Sequence, residues 1–82
     1  MFVKAFIPKG TEYVASYNDC PYTTDREYWT SVKIEDQDID NDHYIKHLAR
    51  VNLTKTIAQR EFGNYSFAKN IWLDVADIQI VR

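Results

Sequence analysis

The fold class is decided by residues 28–62, YWTSVKIEDQDIDNDHYIKHLARVNLTKTIAQREF. Residues 28–34 alternate in polarity, which is typical of a half-buried β-strand. The acidic residues 35–42 separate this strand from residues 42–62, where apolar side chains recur at helical spacing. A strand and a long helix joined by a polar segment predict an α+β domain. One face of the predicted strand carries Tyr28, Thr30, Val32 and Ile34.

Two further strands are predicted upstream, over residues 2–7 and 12–17, because both runs are rich in β-branched and aromatic residues. Between them, Pro8 fixes the first corner of a turn and Gly10 accepts the positive φ that a type II turn requires. Residues 18–27 are predicted to break the second strand and to form a polar connection.

Residues 42–62 are predicted to be helical, with Asp42 as the N-cap and Gly63 as the stop. Lys55 interrupts the predicted apolar stripe, and the middle of the segment also alternates as a strand would. Two short helices, with Thr54 capping the second, or a partly extended segment therefore remain alternatives to one helix. The predicted apolar stripe consists of Tyr44, Leu48, Val51, Ala58 and Phe62.

The apolar pattern near residues 71–80 slips by one position, which predicts a bulge or a break near residues 76–77. We expect residues 1–82 to form a single α+β domain. Its architecture would be an antiparallel sheet of about four to five strands, with one or two helices from residues 42–62 packed on one face.

The composition indicates a globular protein that exposes part of its aromatic content. The 82 residues are 45% hydrophobic and include six tyrosines, four phenylalanines and two tryptophans. A chain of this size has a thin core that cannot enclose all of these rings. Exposed aromatic side chains favour protein binding.

The sequence also indicates the compartment and the absence of a membrane partner. Cys20 has no second cysteine with which to form an internal disulfide, which fits a reducing compartment. No apolar run approaches the roughly 18 residues that span a bilayer, and no signal peptide is recognisable. We therefore expect a cytoplasmic protein.

The acidic residues 35–42 are the most distinctive segment and the first candidate for a site. Five of the eight residues are acidic in a chain whose net charge is only −2. If the segment is extended, its aspartates project on one side about 6–7 Å apart and could enter a basic groove on a protein partner. A solvated loop is the alternative. The predicted partner-binding residues are Glu35, Asp36, Asp38, Asp40 and Asp42, with Tyr28 and Trp29 beside them.

Metal binding and catalysis are not predicted. Asp36 begins a partial calcium-loop pattern, but Asn41 stands where glycine is needed and His47 where a bidentate glutamate is needed. His43 and His47 are four residues apart, a spacing that allows a shared metal, yet no further ligands are indicated. No nucleophile motif and no glycine-rich phosphate loop is present, so we expect neither an enzyme nor a cofactor.

A basic helix face offers an alternative function. On one continuous helix, Lys46, Arg50 and Arg60 would form a stripe that could contact phosphate. The negative net charge argues against nucleic acid as the main partner. Assembly through strand edges or aromatic residues, as in a structural component, is a further alternative.

Residues 5–13, AFIPKGTEY, resemble the IPKGT-Y opening of small phage or mobile-element proteins of gut bacteria. This resemblance implies a short phage protein, a group that includes inhibitors of host defence systems, and it assigns no functional residue. The expected function is a non-enzymatic protein-binding module. In its most specific form this would be a phage-encoded inhibitor of a bacterial defence complex, with a partner that has a basic surface.

Overall fold

Buried and exposed side chains alternate along residues 2–7, 12–15 and 28–33, as they do in half-buried β-strands. The computed structural model describes residues 1–16 and 20–82. Within these residues the chain forms one long helix, α1 (Asp42–Phe62), and short 3₁₀ turns at Asp36–Asp38, Tyr65–Asn70 and Val75–Asp77. The strands are β1 (Phe2–Ile7), β2 (Glu12–Ala15), β3 (Cys20–Thr23), β4 (Tyr28–Lys33), β5 (Ile71–Trp72) and β6 (Gln79–Val81). The α+β class is confirmed.

The first sheet has the order β4-β1-β6, with antiparallel pairing throughout. Its central strand alternates as a half-buried strand must, with Val3, Ala5 and Ile7 buried towards α1. In β4, Tyr28 and Val32 are buried on the same side while Trp29 is exposed, so the predicted alternation of this strand is confirmed.

The second sheet has the order β3-β2-β5 and is also antiparallel. A turn follows β1, and Gly10 has the predicted positive φ, at 86°. The Thr11 amide donates to the Pro8 carbonyl at 3.3 Å, so the first corner is Lys9 and not Pro8 as predicted. This turn does not pair β1 with β2, however. It carries the chain from the first sheet into the second, so the strands are divided between two three-stranded sheets.

The chain passes between the sheets in two connecting segments, one from β1 to β2 and one from β3 to β4, and these segments are hydrogen-bonded to each other. The Gly10 amide donates to the Thr24 carbonyl at 2.9 Å, and the Thr24 amide donates to the Thr11 carbonyl at 3.0 Å. The buried Thr24 hydroxyl also accepts from the Thr11 amide at 3.1 Å. These bonds hold the segment after β1, where the chain leaves the first sheet, beside the segment before β4, where the chain returns to that sheet.

Residues 20–23 correct the expectation of a polar connection, since they form strand β3. Pro21 is tolerated there because β3 is an edge strand of the second sheet, so its missing amide donor removes no hydrogen bond from the interior of the sheet. The predicted end of the second strand at Tyr17 and the predicted break at residues 18–19 lie outside the described residues.

Helix α1 is one continuous helix. Its N-cap is Asn41, one residue before the predicted Asp42, and the Asn41 side chain accepts from the Tyr44 amide at 3.2 Å. Gly63 ends the helix as predicted, with a left-handed φ of 69° and an amide that donates to the Ala58 carbonyl.

The buried side of α1 differs from the predicted stripe. Tyr44 and Val51 are exposed, and Lys55 lies on the exposed side too. The residues that are actually buried are spaced four positions apart, so their side chains shift gradually around the helix axis from one turn to the next. This shift lets the buried side of the helix contact both sheets. The buried residues are Ile45, Ala49, Leu53 and Ile57, joined by Thr54 and Ala58.

The predicted break near residues 76–77 is confirmed. The 3₁₀ turn Val75–Asp77 separates β5 from β6, and Asp74 caps it by accepting from the Ala76 amide at 2.9 Å. Because of this break, β5 joins the second sheet and β6 joins the first. Both strands thus close the apolar core that lies between α1 and the two sheets.

Candidate binding surfaces

The outward face of the first sheet, which we call the open face, is built by the side chains of β1, β4 and β6 that point away from α1. Register places Phe6 opposite Trp29 and Gln79, and Lys4 opposite Ser31 and Val81. The side chains of Phe2 and Lys33 complete the face at its far end. Its members are exposed apart from the half-buried Phe6.

Aromatic rings dominate the open face. Phe6 and Trp29 stack with their ring centroids 4.5 Å apart and an interplanar angle of 14°. Trp29 nevertheless keeps 48% of its surface exposed, and Phe2 keeps 71%. Large apolar side chains gathered on one exposed face are typical of an interaction surface.

The acidic residues 35–42, which we call the acidic segment, lie at the Phe2 end of the open face. The Met1 amine donates to the Ile34 carbonyl at 3.0 Å, and the Ile34 amide donates to the Met1 carbonyl at 2.9 Å. These bonds fix the start of the acidic segment beside β1. At the other end, Arg82 donates to the Ile39 carbonyl at 2.8 Å and forms a salt bridge with Asp42.

The acidic segment is not extended, which corrects the expected row of carboxylates. It bends through the 3₁₀ turn Asp36–Asp38, with the Asp38 amide donating to the Glu35 carbonyl at 3.0 Å. Asp42 is exposed but paired with Arg82, Asp38 is half-buried, and Glu35, Asp36 and Asp40 are exposed. The segment therefore presents a compact acidic turn.

Tyr28 differs from Trp29 in its position, although both are predicted partner-binding residues. Tyr28 is only 4% exposed, and its hydroxyl donates to the Glu61 carboxylate at 3.0 Å. Burial, together with this hydrogen bond, raises the pKa of Tyr28 to about 12. Its ring belongs to the core and not to the surface.

The three basic residues predicted on α1 do not form one surface. Lys46 and Arg50 are one helical turn apart and half-buried. Arg60 lies near Asp25, where the Arg26 guanidinium, with a smaller effect from Arg60, lowers the pKa of the Asp25 carboxyl. Arg60 is thus placed close to the turn before β4.

Arg50 contributes to a different cluster, which the sequence did not indicate. Its guanidinium lies 5.0 Å from the centroid of the Trp72 ring, a cation–π distance. Lys55 from α1 and Lys69 from the 3₁₀ turn Tyr65–Asn70 line the same groove. Since Lys69 and Trp72 reach α1 only through tertiary packing, no spacing in the sequence could have indicated them.

His43 and His47 place their Nε2 atoms 3.1 Å apart on the first turns of α1, with the rings edge to face. Over residues 1–16 and 20–82, no third histidine, cysteine, aspartate or glutamate joins them to form a metal-binding group. Cys20 is exposed on β3.

No helix in the described part of the chain combines the length and the apolar character needed to cross a membrane. Comparison with known proteins finds no matching family model, no similar curated protein and no similar solved structure.

Proposed function

We propose that this chain is a non-enzymatic protein-binding module that presents the open face and the adjoining acidic segment to one protein partner. The observation that carries the proposal is the exposure of Phe2 and Trp29 on a sheet face that α1 does not cover. Aromatic side chains of this kind supply much of the binding energy at protein interfaces.

The arrangement of charge defines the partner. Phe2 and Trp29 offer apolar contact area, so the partner contributes aliphatic or aromatic side chains there. Glu35, Asp36 and Asp40 at one end favour a basic patch on the partner at that end. The apolar contacts supply affinity, and the acidic turn sets the orientation.

In its most specific form, we propose a phage-encoded inhibitor that acts in the host cytoplasm on a bacterial defence complex. The resemblance of residues 5–13 to small phage proteins supports this form. Defence complexes that handle nucleic acids carry basic surfaces, which are suitable targets for an acidic turn.

The test is affinity capture from a lysate of a gut bacterium, followed by mass spectrometry and by affinity measurement with the captured protein. We expect the double variant Phe2→Ser, Trp29→Ser to weaken binding by about 2 kcal/mol or more, because two exposed anchors are lost. Neutralising the acidic turn with Glu35→Gln, Asp36→Asn and Asp40→Asn should mainly slow association and reduce its salt dependence.

The matched control is Tyr65→Ser, because Tyr65 is an aromatic residue outside the first sheet whose exposed fraction, 62%, lies between those of Trp29 and Phe2. Equal binding by the wild type and by the Phe2, Trp29 double variant would refute the proposal. So would an equal loss of binding in the Tyr65 control, since the effect would then not belong to the open face.

A further inference from the structure

A second surface lies apart from the open face, in a groove of about 400 Å³ between α1 and the segment that leads into β5. Val51 and Thr54 line the helix side, and Ala68 and Ile71 line the opposite side. Trp72 stands in the lining with 61% of its surface exposed. The groove thus combines an apolar floor with an accessible indole ring.

In the part of the chain that the structure describes, the charged side chains that line this groove are all cations, namely Arg50, Lys55 and Lys69. Among the described residues, none of the three forms a salt bridge, since the ion pairs found there join Arg26 to Asp25 and Arg82 to Asp42. Three cations that line one groove without an ion-pair partner among the described residues favour an anionic ligand.

We propose that this groove binds single-stranded nucleic acid, with one base packed against Trp72 and the adjacent phosphates held by Arg50, Lys55 and Lys69. A positively charged groove with an aromatic side chain is the arrangement by which proteins hold single strands without sequence preference. An acidic peptide would also satisfy the cations, but its carboxylates give the indole nothing to stack on. The Arg50 guanidinium lies 5.0 Å from the indole centroid, so a phosphate that it holds lies next to a base packed on the ring.

This inference is independent of the proposed protein-binding function, because the groove and the open face share no residue. Either function can fail without the other. The module would then contact a protein through one surface and a nucleic-acid strand through another.

The experiment measures binding of a short fluorescein-labelled oligodeoxythymidylate by anisotropy, starting at low salt. We expect binding that weakens with salt with a logarithmic slope of about −2, because three cations contribute about 0.7 each on a single strand. In a Trp29→Phe background, Trp72 is the remaining tryptophan, and its fluorescence should be quenched as the oligonucleotide binds.

Two charge-matched double variants locate the site. Lys55→Gln with Lys69→Gln should reduce the salt slope to about −0.7. Lys4→Gln with Lys33→Gln, on the open face, removes the same charge and should leave the slope unchanged. Trp72→Leu should weaken binding by about fivefold or more, with the circular dichroism spectrum checking that this exposed substitution preserves the fold.

Absence of binding at low salt would overturn the proposal. Equal effects of the two charge-matched variants would overturn it as well, because binding would then follow net charge and not the groove. An oligoglutamate peptide that displaces the oligonucleotide and quenches Trp72 equally would assign the groove to acidic peptides instead.

Discussion

Tyr13 and Tyr28 lie on strands of different sheets, yet their hydroxyls donate hydrogen bonds to the two oxygens of a single carboxylate, that of Glu61. Glu61 is in the last turn of α1, so this one side chain joins the helix to both sheets. Both tyrosines are almost fully buried, and without Glu61 their hydroxyls would lose these acceptors.

Removing the Glu61 carboxylate should destabilise the protein more than removing the carboxylate of an exposed glutamate usually does. We expect Glu61→Ala to lower the free energy of unfolding by about 2–4 kcal/mol, because two hydrogen bonds to a charged acceptor are lost. Urea unfolding measures the change. Glu27→Ala, at another exposed glutamate, serves as control and should change stability by less than about 0.5 kcal/mol. An equal effect of both variants would contradict the joining role of Glu61.

The two tyrosines also predict loss of stability in alkali. Burial first, and then the Glu61 carboxylate, raise the pKa of Tyr28 to about 12, and the same causes raise the pKa of Tyr13. Unfolded tyrosines release their protons near pH 10, so the folded state holds more protons above that pH. For Tyr28, the stabilisation is complete below about pH 10 and is lost as the pH rises through about 12.

This pH dependence can be separated from the titration of lysines by a matched variant. The double variant Tyr13→Phe, Tyr28→Phe should be less stable than the wild type at neutral pH but should lose less stability between about pH 10 and pH 12. Urea unfolding at several pH values checks this. Parallel curves for the two proteins would show that other groups cause the alkaline loss.

The drift of the buried stripe on α1 predicts opposite results for two neighbouring aliphatic residues. Leu53 is fully buried, and Leu53→Ala should cost about 2–5 kcal/mol, seen as a fall in Tm of about 4–8 °C per kcal/mol. Val51 is 47% exposed, and Val51→Ala should change stability by about 0.5 kcal/mol or less. A larger loss of stability for Val51→Ala than for Leu53→Ala would instead support the buried stripe predicted from the sequence, which contains Val51.

The end of α1 depends on the conformation of one glycine. Gly63 has a φ of 69°, and a Cβ added there would meet no atom within 4 Å. Gly63→Ala should therefore cost about 1–2 kcal/mol from backbone strain alone. Gly63→Asn should cost less, because asparagine tolerates the left-handed region better. Calorimetry of the three proteins tests this order, and an alanine variant as stable as the wild type would contradict it.

Local patterns predicted the parts of the fold that local chemistry controls. The alternation in residues 28–34 indicated β4, and Gly63 indicated the end of α1. Strand β3 was not predictable, because Pro21 disfavours a strand until β2 provides the pairing. The division into two sheets depends in the same way on pairings between distant residues.

The candidate surfaces were predictable only in part. The alternation in β4 already placed Tyr28 and Trp29 on opposite faces, so only one of the two could be exposed, and the structure exposes Trp29. The acidic segment was evident from composition, but its bend through Asp36–Asp38 was not. The cationic groove depends on Lys69 and Trp72 reaching Arg50, a tertiary contact with no local signal.

The pairing of β6 with β1 has a consequence for synthesis on the ribosome. Residues 79–81 complete the first sheet by pairing with residues 4–6, and β5 completes the second sheet by pairing with β2. Neither sheet can therefore be completed until the strands after α1 have been synthesised, although α1 itself can form earlier from local contacts. A nascent chain stalled before residue 71 would leave one edge of β1 and one edge of β2 unpaired and would lack Ile71, Leu73 and Ile78 from the core, so it would be a target for chaperones.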